Sequence, residues 1–392
     1  MPNHTDIQDA KSFKQAQALH ATIEEQFSGV EDYRRENSII HKLSHILFIT
    51  VCAVTSGCNS LKAVAEYAQV KQSWLKSVLG FKGRAPSYLT FWTVFAMLLP
   101  EGLSRCFTQW VQTMIKASRG RLIALDGKAQ RGSRSSHTSN SFVHIVSAWT
   151  SQNGLTLAQC KVDDKSNEIK AIPKILDLID IEGAIITIDA MGTQKTIASK
   201  IIENKGDYIL ALKGNHSKLH DEISNYFDQA IEYGEEGNEY HKHEEEEKGH
   251  GRIEKRRVFS TENIDFLEQK DQWKGLKSII CIESIRTIKN KKTKERRYFI
   301  SSLGSKPEHF NDLIRSHWGL ESLHWTLDVS FREDAQKTKA GHLPENLSLI
   351  RRLSLNFLKQ DKTAKVGIEI KRQKAGWDND YLLKVLGVKF FS

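Results

Sequence analysis

The feature that most constrains the fold is a change of hydrophobic spacing near residue 120. Before it, apolar residues recur every three or four positions, which is typical of amphipathic helices. After it come short β-branched runs, of which the first three are RLIALD, FVHIVSAWT and GLTLAQCKV. We therefore predict a helical segment followed by a domain that is built on a sheet.

In the helical segment, residues 1–118, capping residues and a proline stand where helices are expected to begin or end. Ser60 and Ser87 stand where N-cap side chains belong, and Pro100 can open a further helix at its first turn. The most apolar run, ILFITVCAVT at residues 46–55, is far shorter than the ~20 residues that cross a bilayer. It predicts a buried helix in an all-helical N-terminal domain.

The cysteines and the N-terminus bear on the cellular compartment. The five cysteines are scattered and form no CxxC pair, so neither a disulfide framework nor a zinc ribbon is indicated. The N-terminal run MPNHTDIQDAKSFKQ is polar and mixed in charge, unlike a secretory signal. Together these features predict a cytoplasmic protein without a membrane partner.

Residues 119–233 predict a mixed sheet. A turn at residues 152–154 (Gln-Asn-Gly) joins the second and third runs, so three strands in meander order are expected. A helix at 168–181, the strand AIITIDA, a helix at 193–205, the strand DYILALK and a helix at 217–233 follow. Three antiparallel strands followed by βαβ units predict an α/β fold with helical cover.

Two further segments complete the chain. Residues 234–304 break the α/β alternation with an acidic stretch, the basic run GHGRIEKRR and the alternating runs LKSIICIES and RRYFISSL, which predict a β-rich insertion. The four glutamates at residues 244–247 are typical of a solvated loop. Helical spacing resumes near residue 307, so residues 305–392 are assigned to a helical C-terminal part of the core.

Two aspartates stand at the carboxyl ends of predicted strands, Asp126 after RLIAL and Asp189 after IITI. Ligands bind at that edge of open α/β sheets. A turn or a helix N-cap is the alternative for either residue taken alone. Two acids at equivalent edges indicate a site.

A third acid, Glu321, lies in LIRSHWGLESLHWTLDVSFRED, where basic, acidic and aromatic residues recur at helical steps. The alternative here is an amphipathic helix whose Trp318 and Trp325 anchor in the core. Three carboxylates at one edge would suit two Mg²⁺ ions, with Mn²⁺ as a substitute, because Mg²⁺ prefers oxygen ligands. Two metal ions held close together in this way catalyse phosphodiester cleavage and transfer.

The charge balance favours a polyanionic partner. Lys and Arg number 57 against 48 Asp and Glu, a formal net charge of +9. The sequence GxxxxGK[ST] is absent, so a nucleotide cofactor is not expected. Nucleic acid is the leading candidate.

Long ordered blocks carry a family resemblance from about residue 41 to about residue 359. They are LDGKAQRGS, DDKSNEIKAIPKILDLIDIEGAIITIDAMGTQKTIASKI, GDYILALKGNH, GHGRIEKR, YFISSL and RSHWGLESLHWTLDVSFRED. In these blocks the chain resembles the H-repeat-associated, ISAs-type insertion-sequence transposases, DDE transposases with a ribonuclease-H-like catalytic core. The resemblance implies that Asp126, Asp189 and Glu321 are the catalytic, metal-binding triad.

The resemblance also implies a reaction and its partners. Water activated by metal hydrolyses a strand at the element's end, and the freed 3′-OH then attacks target DNA. The partners are double-stranded DNA, as terminal inverted repeats and target, and a homodimer on DNA, associated with the nucleoid when bound. The chain departs from the family pattern at PSYLTF (residues 86–91), where PSHDTF is usual, and at Lys337, where an arginine is usual.

Several basic residues are predicted to contact DNA phosphates. Lys128, Arg131 and Arg134 directly follow Asp126, and Arg252 lies in the block GHGRIEKR. The tract RTIKNKKTKERR at residues 286–297 could follow a DNA backbone, and an ordinary solvated turn is its alternative. The remaining predicted contacts are Lys291, Lys292, Lys294 and Arg315.

Two other functions stay open from the sequence. A decayed, transposase-derived protein, such as a repressor on its own ends, would bind DNA without cutting it. A nuclease would cut without joining and would need the same three acids. Of the other residues considered, Trp273 is predicted to pack the local core, and His41 and His45 to lie on a helix surface.

Overall fold

The computed structural model describes residues 17–18, 20–114, 121–130, 143–162, 168–233, 239–249, 251–289, 291–337 and 340–387. Before the sheet, the main helices are α1 (Leu43–Thr55), α2 (Leu61–Val70), α3 (Gln72–Leu79), α4 (Tyr88–Met97) and α5 (Pro100–Met114). Ser60 Oγ accepts a hydrogen bond from the Ala63 N–H at 3.2 Å, and Ser87 Oγ accepts one from Thr90 at 3.3 Å. These caps, and the proline that opens α5, confirm the predicted helix starts.

A mixed sheet of nine strands follows. The strands are β1 (Leu122–Gln130), β2 (Val143–Thr150), β3 (Leu155–Val162), β4 (Ile185–Ile188), β5 (Asp207–Leu212), β6 (His241–Gly249), β7 (Arg252–Thr261), β8 (Ser278–Ile288) and β9 (Lys291–Ser301). Their spatial order is β3-β2-β1-β4-β5-β9-β8-β7-β6. The pairs β1–β4 and β4–β5 are parallel and the others antiparallel. The predicted meander and the mixed α/β sheet are therefore confirmed.

Helices cover the sheet and join it to the N-terminal helices. They are α6 (Glu168–Leu178), α7 (Lys195–Glu203), α8 (Ser217–Tyr233), α9 (Pro307–His317), α10 (Gly319–Val329), a 3₁₀ turn (Glu333–Ala335), α11 (Leu343–Gln360), α12 (Ile368–Trp377) and α13 (Asn379–Gly387). Asn346 in α11 donates to the carbonyls of Phe95 at 3.0 Å and Leu98 at 2.8 Å. Asn356 in α11 donates to the carbonyl of Thr156 in β3 at 2.9 Å. Within the described helices, no stretch is long and apolar enough to cross a membrane.

The strands predicted for the insertion extend the core sheet. β9 pairs with β5, and Ile300 stands opposite Leu210. The four glutamates at residues 244–247 lie within β6, so the prediction of a solvated loop is wrong. The register explains the difference, because Glu244 stands opposite Arg257 in β7 and opposite charges stabilise a cross-strand pair.

The burial of three aromatic side chains tests the predictions made for them from the sequence. His41 and His45 are 5% and 7% exposed, and both rings pack against Phe81, so the prediction of surface histidines is wrong. Trp273 is 2% exposed and packs edge-on against His216, as predicted.

Candidate active site

The two aspartates are brought together by strand register. β1 and β4 are neighbouring parallel strands in which Leu125 pairs with Ile188. Asp126 directly follows Leu125 and Asp189 directly follows Ile188, so the two acids lie side by side at the carboxyl edge of β4. β1 does not end at Asp126, as the sequence suggested, but continues to Gln130 in pairing with β2 alone. Both aspartates are half-buried.

Glu321 reaches the same space from the first turn of α10. A cleft of about 390 Å³ is lined by Asp126, Asp189 and Glu321. The Glu321 side chain is exposed, whereas the aspartates lie deeper. Among the described residues, no three His, Cys, Asp or Glu side chains are gathered closely enough to hold an ion. The three acids thus face one cleft without meeting at a point.

The electrostatics of Asp126 fit a cation site. Its pKa is raised to about 7, chiefly by burial and then by the charge of Asp189, with Glu168 and Glu321 adding to the shift. The backbone N–H of Gly127, which donates to Asp126 Oδ1 at 2.8 Å, opposes it. Repulsion among carboxylates is relieved by a bound cation, and an all-oxygen set of this kind suits Mg²⁺.

Two histidines that the sequence did not single out flank the acids. His317 Nδ1 lies 2.8 Å from Thr187 Oγ1, and His324 Nδ1 lies 3.8 Å from Asp126 Oδ2. Burial lowers the pKa of both, that of His324 to about 4, so both rings are neutral near pH 7. Their spacing, four residues before and three after Glu321, was the available signal.

Lys128 is buried and joins β1 by ion pairs to the segment that begins with the helix of Glu321. It is 7% exposed, and its Nζ lies 2.5 Å from Asp328 Oδ1, 3.0 Å from Asp334 Oδ1 and 3.5 Å from Glu333 Oε2. This placement does not favour the predicted contact of Lys128 with DNA phosphates, because its ammonium is enclosed by three carboxylates.

A buried ion pair continues this network into α11. Glu333 is fully buried, and its Oε1 accepts hydrogen bonds from Arg352 Nη1 at 2.8 Å and from Ser348 Oγ at 2.7 Å. Burial would raise the pKa of Glu333, but Arg352 and then Lys128 outweigh it and hold the pKa at about 2. Glu333 is thus committed to this ion pair, whereas Glu321 lines the cleft.

Two of the predicted DNA contacts line a second space. Arg315 in α9 donates from Nη2 to Glu247 Oε2 in β6 at 2.7 Å, and Arg252 Nε lies 3.0 Å from Glu254 Oε1. Both arginines line a groove of about 570 Å³ over the strands of the insertion. Each is therefore near the surface but paired with a carboxylate in the free protein.

The lysines of the basic tract at residues 286–297 differ in their ion pairs and in their exposure. Lys294 Nζ lies 2.7 Å from Glu283 Oε2, and Glu283 is fully buried. Lys291 and Lys292 begin β9 and are exposed. Two of the predicted contacts lie outside the described residues: Arg131 and Arg134.

The cleft and the groove meet at Arg297 and Trp318, which line both. The guanidinium of Arg297 lies 4.3 Å from the centre of the Trp318 ring, which is a cation–π contact. Trp318 is 39% exposed and Trp325 is 63% exposed, so the alternative that both tryptophans anchor in the core is wrong. Arg297 is the last residue of the basic tract that the sequence predicts could follow a DNA backbone.

The raised pKa of Asp126 predicts that Asp126→Asn stabilises the metal-free protein. A carboxyl whose pKa is about 7 when folded and 3.8 ordinarily destabilises the fold increasingly as pH rises between those values. In EDTA the variant should gain on the order of 2 kcal/mol of unfolding free energy near pH 8 and clearly less near pH 5. Thermal unfolding at the two pH values measures this. A gain that does not depend on pH would contradict the assigned cause.

Comparison with known proteins gives consistent matches over most of the chain. The family described as "Transposase DDE domain" matches residues 113–357, and "DDE_Tnp_1-associated" matches residues 24–111. "Putative transposase YncI" of Escherichia coli O157:H7 is 38% identical over 364 residues, covering 92% of this chain and 93% of that protein. "H repeat-associated putative transposase YhhI" of Escherichia coli K12 is 36% identical over 369 residues, covering 92% of this chain and 97% of its own length.

Proposed function

This chain belongs to the DDE transposase family, and from that premise we propose that it cleaves insertion-sequence ends and joins the freed 3′-OH to target DNA. The observation that carries the proposal is the adjacent placement of Asp126 and Asp189, with Glu321 on the same cleft. We assign these three acids to the catalytic triad. The sheet around them is proposed to be a ribonuclease-H-like core.

The triad residues are proposed to hold two Mg²⁺ ions, with Mn²⁺ as a substitute. When bound, such ions activate the attacking water or 3′-OH and stabilise the leaving 3′ oxygen. Asp126 has to lose its proton to become a ligand, and its pKa of about 7 makes this step sensitive to pH near neutrality. Lys128 and the buried Glu333 hold α10 against β1, which sets Glu321 relative to Asp126.

The groove beside the cleft supplies a proposed path for DNA. Arg252 and Arg315 line it, and Arg297 stands where it opens into the cleft. Guanidinium groups bind phosphate with charge-assisted hydrogen bonds. We propose that a DNA phosphate replaces Glu247 as the partner of Arg315 when the element end binds. We also propose that two copies of the chain form a homodimer that brings the two ends of the element together.

A single assay separates this function from its alternatives. Labelled DNA that carries an element end is incubated with the full chain and target DNA, in Mg²⁺ or in EDTA. We expect cut ends and joined product in Mg²⁺, and binding alone in EDTA. Cut ends without joined product would make the protein a nuclease. Binding without either product would make it a transposase-derived DNA-binding protein.

Lys291 and Lys292 are predicted to contact the DNA backbone. Each phosphate neutralised contributes about 0.9 to the slope of log affinity against log salt, so the double change to Gln should flatten that slope by roughly two units. Specific and random DNA should lose affinity by similar factors, because phosphate contacts carry no sequence information. Binding titrations at several salt concentrations measure both effects.

The matched control is the double change of Lys200 and Lys205 to Gln. Lys200 lies in the last turn of α7, and Lys205 lies just before β5 begins, so both are away from the carboxyl edge of the parallel strands. This variant has the same net charge and should keep the wild-type slope. If the two double variants behave alike, the start of β9 is an ordinary solvated turn; loss of end-specific binding alone would instead indicate base contacts.

A further inference from the structure

His317 lines the same cleft as Asp126, Asp189 and Glu321, and it is held there from β4. It is the last residue of α9, four positions before Glu321. Its Nδ1 lies 2.8 Å from Oγ1 of Thr187, which also lines the cleft. Thr187 stands two positions before Asp189, so the two side chains leave this segment on the same side. The imidazole is therefore fixed beside the acids by a hydrogen bond to the strand that leads into one of them.

The hydroxyl of Thr187 decides which nitrogen of the ring carries hydrogen. Thr187 is 3% exposed, and within the described part of the chain its Oγ1 has no hydrogen-bond partner other than His317. A buried hydroxyl that only accepted a hydrogen bond would leave its own hydrogen unpaired, which costs free energy. Thr187 is therefore assigned as the donor to Nδ1, and the hydrogen of the neutral ring lies on Nε2.

Nε2 is thus a donor that is available to a ligand. Among the residues that the structure describes, none accepts a hydrogen bond from it, and the side chain is only partly buried. A histidine that binds a metal has the opposite arrangement, because its second nitrogen donates to a neighbouring group and leaves a lone pair on the ligating nitrogen. The arrangement at His317 suits an anion rather than a cation, and a DNA phosphate is the anion that the proposed function brings to this cleft.

We propose that His317 donates a hydrogen bond from Nε2 to a non-bridging oxygen of the DNA phosphate that is cut, and that Thr187 is the positioning residue that fixes this donor. The inference rests on the proposed function, because the phosphate enters the same cleft. No proton is transferred, and the ring keeps its hydrogen throughout. A fixed donor aimed at oxygens where negative charge develops stabilises the transition state more than the bound substrate, so its loss lowers the rate of cleavage.

Two amides at residue 317 separate the roles of the two ring nitrogens. Asparagine places its amide near the position of Nδ1, so His317→Asn can keep the contact with Thr187 but loses the donor in the cleft. Glutamine places its amide near the position of Nε2, so His317→Gln keeps a donor there. In single-turnover cleavage of labelled end DNA in saturating Mg²⁺, His317→Asn should be roughly 100-fold slower than the wild type, and His317→Gln should be at least about tenfold faster than His317→Asn. His309→Asn, which changes an exposed histidine of the same helix, is the matched control and should cleave like the wild type.

A second pair of variants tests the positioning role of Thr187 without altering the ring. Thr187→Ser keeps the hydroxyl and should cleave within about threefold of the wild-type rate, whereas Thr187→Val keeps the shape but removes the donor to Nδ1 and should be roughly tenfold slower. Equal rates for the serine and valine variants would overturn the positioning role.

Metal and DNA binding distinguish the phosphate contact from other roles of His317. For His317→Asn, end binding in EDTA, Mn²⁺ affinity measured by electron paramagnetic resonance and thermal unfolding in EDTA should all stay close to wild type. A loss of Mn²⁺ affinity of about tenfold or more would make His317 a metal ligand and overturn the inference, as would equal cleavage rates for the asparagine and glutamine variants. If the wild type and His317→Asn cut at the same rate, the inference fails and the proposed function stands. If the wild type makes no cut product in Mg²⁺, the proposed function fails and the inference fails with it.

Discussion

Asp126→Asn, Asp189→Asn and Glu321→Gln are each expected to abolish DNA cleavage and joining while binding of element ends stays close to wild type. Each change keeps the shape of the side chain but removes a charge that holds a divalent ion, so the rate should fall roughly a thousandfold or more. Cleavage and joining are measured on labelled end DNA in Mg²⁺, and binding is measured in EDTA. If a variant keeps more than a few per cent of wild-type cleavage, the residue that it replaces is not a member of the triad.

Substitutions of two neighbouring acids are the controls for the assignment of the triad. Glu295→Gln removes an acid that lines the same cleft but pairs with Arg297 at 2.7 Å, and it should retain cleavage. Asp328→Asn removes the partner of Lys128 from the same helix as Glu321. Its activity should exceed that of Glu321→Gln. An inactive Asp328→Asn together with an active Glu321→Gln would show that the wrong acid of α10 had been assigned.

Arg352→Met is expected to cause the largest loss of stability, about 3 to 5 kcal/mol of unfolding free energy, because it leaves a buried carboxylate without its main partner. Arg352 is fully buried, and it binds Glu333 at 2.8 Å and Ser147 Oγ in β2 at 3.3 Å. The wild-type pair contributes fully above about pH 4.5 and is lost only as pH falls through the folded pKa of about 2. Urea unfolding near neutral pH measures the loss.

Comparison variants distinguish this buried pair from ordinary ion pairs. Arg286→Met removes an exposed partner of Glu254 and should cost less than about 1 kcal/mol. The double variant Arg352→Met with Glu333→Gln should cost less than the sum of its single changes, since the stranded charge is also removed. Additive losses, or a loss from Arg352→Met no greater than that from Arg286→Met, would mean that the ion pair does not hold α11 to the site.

Much of the fold was predictable because its signals are local. Helical spacing, the caps at Ser60 and Ser87 and the β-branched runs each depend on residues within a few positions of one another, and the elements they predict are present. The two aspartates could be singled out because an acid at the end of an apolar run is also a local pattern, although β1 itself continues past Asp126 to Gln130. The acidic run in β6 was misread for the same reason, because its partner is the basic strand β7 and not its own neighbours.

What only the tertiary structure decided is which of these local elements meet. The register of β1 against β4 makes Asp126 and Asp189 neighbours, although 62 positions separate them in the chain. Lys128 looked like a phosphate contact because it follows Asp126, but its partners Asp328, Glu333 and Asp334 come from a segment about 200 residues later. Periodicity reports which face of an element is apolar and carries no information about which distant side chain packs there. The helix starts and the apolar strand segments were therefore determined by the sequence itself, whereas the end of β1, the burial of side chains and their ion pairs arise only when the sheet and helices are packed together.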